Sequence, residues 1–282
     1  MKRKRILIIG IVVLTIIALA TSAFTNFTPI AATIAEEKEN KEEVIEEALV
    51  IRSGPNKSIV ALTFDDCWSE SAVQEILKIA KDENIKVTFF PTGKIMTRYP
   101  ELWQQVIAEG HEIGNHTYSH PDLRKLSEEK IKDEIQKAQE ALDKALGYYD
   151  SVQKTQEILN KTIGYYSIQY TQEVLDKLLD SHYEMKYLRP PGGGFNKKVQ
   201  EAAFDCGIQY LAMWAVDDGA ITSFKDCPEN ILPWLKNKTD GGEIVLFHVS
   251  NPEIKILPSF IQYLKTKNLS MGTLTDLLTP KA

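Results

Sequence analysis

Five stretches of the sequence end short apolar runs on side chains that can do chemistry. Asp65 and Asp66 close the run 59–64, and His116 and His120 follow the short run 112–114. Arg189 follows Tyr187-Leu188, Asp217 follows the run 210–214, and His248 closes the run 244–247. Two adjacent carboxylates at the end of an apolar strand repel each other and leave charge at a core edge, so a compensating cation is expected. His116 and His120 are four apart with small or polar residues between them, so one helical turn would direct both rings the same way. Two neutral imidazoles and a carboxylate form a common three-ligand set for zinc or a similar ion and leave a coordination position open for water. A lone His-x-x-x-His is a weak signal, and Asp66 also precedes a helix that it could cap. The conjunction of the histidine pair with Asp65-Asp66 at a different strand end is what carries the metal reading.

The elements around these residues alternate in type. Short apolar runs at 59–64, 87–90, 112–114, 187–188, 210–214 and 244–247 are separated by amphipathic helical stretches. These include one through Val73, Ile76, Leu77 and Ala80, one at 102–108 and a last one near 256–265. Such alternation marks βαβ units and a parallel sheet. In a closed parallel barrel the C-terminal strand ends meet on one face, which would bring the five stretches to one site. Between the halves lies a polar stretch in which Ala138–Lys144, Thr155–Lys161 and Thr171–Lys177 are near copies at a period of about seventeen residues. Gly147-Tyr148-Tyr149 recurs there as Gly164-Tyr165-Tyr166. The period is too short for a known solenoid. It predicts a helical insert over about 147–180 that lengthens one connection, with its tyrosines packing it onto the barrel or stacking on a sugar.

A hydrophobic fraction of 43% with 26% charged residues belongs to a globular chain, and a net charge of −6 without a basic stripe argues against nucleic acid as a partner. Four basic residues, Lys2 to Arg5, precede the apolar run 6–20 and the small residues that follow it. This is the form of an export segment, either cleaved as a signal peptide or kept as a membrane anchor. The expected organisation is therefore a signal peptide or anchor at 1–24, a charged linker at 25–57 and one main domain at 58–279. The expected location is extracellular or at the cell surface, with membrane contact only through an uncleaved N-terminal segment. Three cysteines, Cys67, Cys206 and Cys227, cannot make a disulfide framework. His111 and His182 belong to no motif and are read as structural.

Thr63-Phe64-Asp65-Asp66, His116-Thr117-Tyr118-Ser119-His120, Arg189-Pro190-Pro191-Gly192 and Leu246-Phe247-His248 stand in this order along the chain. As a set they resemble four of the five motifs of the polysaccharide deacetylases of carbohydrate esterase family four, the NodB homology domain. The similarity runs over 58–278 outside the repeat insert. The resemblance implies an α/β fold, a distorted (β/α) barrel of the NodB homology type, here with an N-terminal export or anchor helix and a helical insert. It implies a monomer that hydrolyses the acetamido group of N-acetylglucosamine-containing glycan, peptidoglycan or a chitin-like polymer, and releases acetate. Asp66, His116 and His120 would be the metal ligands, Asp65 the general base, Arg189 its tether and His248 the general acid. Asp217 would orient His248, with Asp218 as the other candidate, and Pro191, Gly192 and Trp214 would line the sugar. One divalent ion is implied, zinc first, with cobalt, nickel or manganese also suited to two histidines and one aspartate.

Three positions depart from the family pattern. Cys67 stands where glycine usually follows the aspartate pair, Val249 follows His248 where an aspartate is common, and 215–220 lacks the usual later Asp-Trp pair. Cys67 could add a soft ligand, but an inert small side chain is the expected reading. The departures leave a second reading open, a degenerate glycan-binding member of the family without catalysis.

Overall fold

The computed structural model describes residues 47–148, 151, 182–218, 228–249 and 251–280. The expected export segment, most of the charged linker, nearly all of the repeat insert and Cys227 lie outside the described residues. Among the described residues no helix is long and apolar enough to cross a membrane.

The strands are β1 (Leu49–Ile51), β2 (Ile59–Asp66), β3 (Thr88–Pro91), β4 (Glu112–Ile113), β5 (Tyr187–Leu188), β6 (Tyr210–Ala212), β7 (Val216–Asp217), β8 (Ile244–His248) and β9 (Ser270–Gly272). One sheet runs β4-β3-β2-β8-β7 with β9 paired to the start of β2, and the other runs β1-β6-β5. Every strand pair is parallel. A parallel bridge from Asn115 to Leu188 joins the β4 edge of the first sheet to β5 of the second. The opposite seam is closed by the segment that begins with β1. Met213 donates its N–H to the Ile51 carbonyl at 2.8 Å, and Ile244 donates to the Arg52 carbonyl at 3.2 Å. The result has the parallel strands that the alternating pattern implies, in the distorted barrel that the family resemblance implies, with buried apolar strands at its centre.

β2 is the central strand. Val60, Ala61, Leu62 and Thr63 have no exposure, and its neighbours β3 and β8 contribute Phe89, Phe90 and Phe247, also without exposure. Phe64 stacks on Phe247 at 5.4 Å and meets Phe89 at 5.6 Å between ring centroids. The helix Glu70–Asp82 lays Val73, Ile76, Leu77 and Ala80 on this sheet, the face expected from its period. Ser69, whose side chain accepts from the Ala72 N–H at 3.3 Å, caps that helix. Asp66 is therefore not used as the cap.

The first strand, β1, falls within the stretch expected to be linker. Leu49-Val50-Ile51 is an apolar run with two β-branched residues, and it pairs with all of β6. Ala48, with no exposure, packs with Leu188, Val199 and Leu211. The run is short and follows a Glu-rich stretch, so composition alone assigns it to the linker. Removing it should open the seam. A chain beginning at Ser58 is expected to unfold at least about 4–8 °C below one beginning at Glu47, the shift for roughly 2 kcal/mol in a domain of this size. Equal midpoints in a thermal scan would show that β1 does not close the barrel.

Candidate active site

The C-terminal ends of β2, β4, β5 and β8 converge on one face. Asp66, His116 and His120 meet there, with His120 Nε2 at 3.1 Å and His116 Nε2 at 3.4 Å from Asp66 Oδ1. One donor atom from each residue lies within 4.8 Å of the others, and among the described residues no other group of histidine, cysteine and carboxylate side chains does this. Asp66 Oδ1 is buried and, apart from the two imidazole nitrogens that face it, has no hydrogen-bond partner. An orphaned carboxylate oxygen between two imidazole nitrogens is costly unless a cation takes its charge, so these donors fit a divalent ion. Burial alone would raise the Asp66 carboxyl, but the two imidazoles outweigh it and hold the group well below the usual carboxylate range.

His116 and His120 do not share a helical turn as their spacing suggests. They sit in a loop after β4 in which Thr117 and His120 both have φ 65°, and the left-handed bend brings the rings together at 4.9 Å between centroids. Asp66 (φ 65°) and Cys67 (φ 58°) are left-handed as well. Non-glycine residues in this region cost about 1–2 kcal/mol each and persist where their surroundings over-determine them. The loop is held accordingly. Asn115 Oδ1 accepts from the Thr117 N–H at 2.8 Å and Thr117 Oγ1 from the His120 N–H at 3.0 Å. Gly93 and Lys94 donate their N–H groups to the Thr117 and Tyr118 carbonyls. His116 Nδ1 lies 2.7 Å from the Arg189 carbonyl, which leaves Nε2 as the ligand atom.

Beneath this cluster Arg189, with no exposure, donates from Nη1 to Asp65 Oδ1 at 2.7 Å and to Thr63 Oγ1 at 2.8 Å, and from Nε to the Ala212 carbonyl at 2.7 Å. Its guanidinium lies 4.3 Å from the Phe90 ring centre and 5.9 Å from that of Trp214. Trp214 in turn covers Gly193, where a Cβ would stand 2.7 Å from the indole. Gly192 (φ 60°) and Pro191 form the turn beside it. Pro191 is buried, while Gly192 opens on space that a side chain would not fill.

His248 ends β8, in register with Asp65 on β2. Its partner is Asp218, not Asp217. Asp218, with no exposure, accepts from the His248 N–H at 2.6 Å and faces Nδ1 at 3.1 Å. Asp217 is the last residue of β7, and its carbonyl accepts from the Trp234 indole at 3.2 Å. Asp217 ends the strand and Asp218 is the first residue beyond it, so a one-residue difference decides which carboxylate reaches the histidine. Burial would lower His248, but the hydrogen bond and charge of Asp218, with the charges of Asp65 and Asp66, raise it to about 9.

Cys67 is fully buried and its thiol donates to the Phe64 carbonyl at 3.6 Å. Burial, then the Asp65 and Asp66 charges, push it well above the usual thiol range, so it stays neutral. His111 is structural. Its Nδ1 accepts from the Val87 N–H at 3.2 Å, and burial lowers it to about 4. His182 pairs with Asp143 at 3.0 Å, away from the metal-ligand cluster. The sequence reading misses Trp68, an exposed indole whose ring lies 6.1 Å from that of His120. Its signal was its position two residues after Asp66.

The strand ends of this parallel barrel thus carry an Asp-His-His cluster beside a buried Asp-Arg pair, on the face where such folds place their active sites. The chain belongs to the polysaccharide deacetylase family. The family model described as polysaccharide deacetylase matches residues 52–155. A peptidoglycan-N-acetylglucosamine deacetylase of Bacillus cereus is 30% identical over 234 residues, which are 80% of this chain and 70% of that protein. The uncharacterized protein YlxY of Bacillus subtilis is 25% identical over 229 residues, 81% of this chain, and the chain spans 60% of its length. A crystal structure of a carbohydrate esterase family four pseudoenzyme from Bacillus anthracis superposes with a TM-score of 0.65 at 26% identity, covering 82% of this chain and 69% of that one.

Because the His248 pKa is raised in the folded chain, the pair with Asp218 stabilises fully below the ordinary value of 6.5 and loses that contribution as pH rises through about 9. In metal-free protein, Asp218→Asn should therefore lower the urea unfolding free energy most between about pH 5 and 6.5, with the difference shrinking above about pH 9. A difference that stays constant from pH 6 to 10 would contradict the pair.

Proposed function

We propose that the chain is an exported, metal-dependent N-deacetylase of a cell-surface glycan, with peptidoglycan or a chitin-like polymer as substrate and acetate as product. The observation that carries this reading is the orphaned Asp66 Oδ1 between His116 and His120. The B. cereus relative named above as a peptidoglycan-N-acetylglucosamine deacetylase supports the choice of substrate. Asp66, His116 and His120 hold the ion, zinc by preference for this donor set, with cobalt, nickel or manganese as alternatives. When bound, such an ion lowers the pKa of water and polarises the acetyl carbonyl.

The remaining chemistry falls to the chain's own groups. Asp65, aimed by its 2.7 Å contact with Arg189, takes a proton from the water that attacks the acetyl carbon. The C–N bond then breaks. His248, charged at neutral pH because Asp218 raises it to about 9, gives a proton to the departing sugar amine, and acetate leaves. Trp214, Pro191 and Gly192 line the sugar on the Arg189 side, and the exposed Trp68 offers a ring face on the His120 side.

A second reading, a glycan-binding member without catalysis, is favoured by one observation, the likeness to the B. anthracis pseudoenzyme. The presence of Asp65, Asp66, His116, His120 and His248 in one site favours the enzyme. Acetate release from an N-acetylglucosamine oligomer, lost on chelation and restored by zinc, is expected from the wild-type chain. Asp65→Asn should bind zinc and not turn over, and His248→Ala should lose roughly 10²–10⁴-fold in activity. Binding of the oligomer without any acetate release, at any metal loading, would favour the second reading.

A further inference from the structure

We propose that Glu134, outside the site, is a positioning residue that holds His120 in ligand geometry; this rests on the metal reading above. The two histidines are each preceded by a residue bonded to the same helix, Glu128–Ala145. Asn115, before His116, donates from Nδ2 to the Ile135 carbonyl at 2.9 Å. Ser119, before His120, donates both its N–H and its hydroxyl to the Glu134 carboxylate, each at 2.8 Å. Consecutive residues of one helix thus grip both ends of the ligand loop.

The second grip adds to the Gly93 and Lys94 N–H groups on the Thr117 and Tyr118 carbonyls, and among the described residues it alone holds Ser119. His116 is buried and has its Nδ1 fixed on the Arg189 carbonyl. The His120 side chain is 35% exposed, and its backbone is tied through the Thr117 hydroxyl alone. Both Thr117 and His120 are left-handed, a strained bend that persists only where its surroundings hold it, and Ser119 is the residue of the loop next to His120 that Glu134 holds. A carboxylate that accepts two bonds on one residue is suited to this, because charge-assisted hydrogen bonds are roughly twice as strong as neutral ones. The helix's neighbouring charges are engaged with each other, Lys137 with Asp133 at 2.7 Å, and do not replace it.

The test uses the full chain, stripped with a chelator and titrated with zinc against a chromophoric competitor, alongside thermal unfolding of the metal-free protein. Glu134→Ala should weaken zinc binding, by at most roughly the 10–100-fold that loss of a ligand's direct partner costs, with little change in the metal-free midpoint. Glu134→Gln keeps one carbonyl oxygen for the Ser119 N–H and should recover part of the affinity. Zinc affinity in Glu134→Ala equal to wild type, or lost only in proportion to metal-free stability, would overturn the proposal. If that variant does not fold, Ser119→Ala, which removes only the hydroxyl donor, must still weaken zinc binding, and unchanged affinity overturns the proposal. Failure of the wild-type chain to bind zinc would instead sink the metal reading, and this inference with it.

Discussion

Arg189 carries a positive charge into the interior of the barrel, where an unpaired ion would cost several kcal/mol, and Asp65 meets that charge at 2.7 Å. The pair also spans the two sheets, since Asp65 ends β2 and Arg189 follows β5. The other guanidinium donors go to Thr63 and to the carbonyl of Ala212 at the end of β6. The guanidinium face rests on Phe90. A buried ion pair stabilises little by itself, but it tolerates few alternative arrangements, because removal of either partner strands the other. The fixed position of the Asp65 carboxylate follows from that intolerance.

The cluster above depends on the same residue. The Arg189 carbonyl orients His116 through Nδ1, so one residue sets both the direction of the Asp65 carboxylate and that of the His116 ring. Asp66, next to Asp65, points into the histidine pair because its left-handed backbone turns the chain after β2. Cys67 continues that bend in a conformation that glycine adopts without strain, and its buried, neutral thiol takes no part in ligation. The altered residue after the aspartate pair therefore leaves the donor set intact.

Much of this is legible in the sequence because it lies in strong local patterns. The apolar run into Asp65-Asp66, the spaced histidines and the buried run into His248 each report a strand end and the chemistry on it. What is not legible depends on tertiary pairing. Leu49-Val50-Ile51 is three residues long, and only its pairing with β6 makes it a strand. β7 is two residues long, so its end, and with it the choice of Asp218 over Asp217, cannot be counted from a longer run. The loop of His116 and His120 has helical spacing but gains its bend from Asn115, Thr117 and Glu134, the last of which reads in sequence as an ordinary exposed helix charge.

The central claim is that Asp66, His116 and His120 together bind one divalent ion at the strand ends of this barrel. X-ray absorption spectroscopy of the zinc-loaded chain tests it directly, because the fine structure counts and identifies the nearest donors. The account predicts two imidazole nitrogens and a carboxylate oxygen at about 2.0–2.2 Å, with no sulfur, and loss of the histidine signal in His116→Ala and His120→Ala. A spectrum with a sulfur donor at about 2.3 Å, or one unchanged in both histidine variants, would place the ion elsewhere and contradict the account.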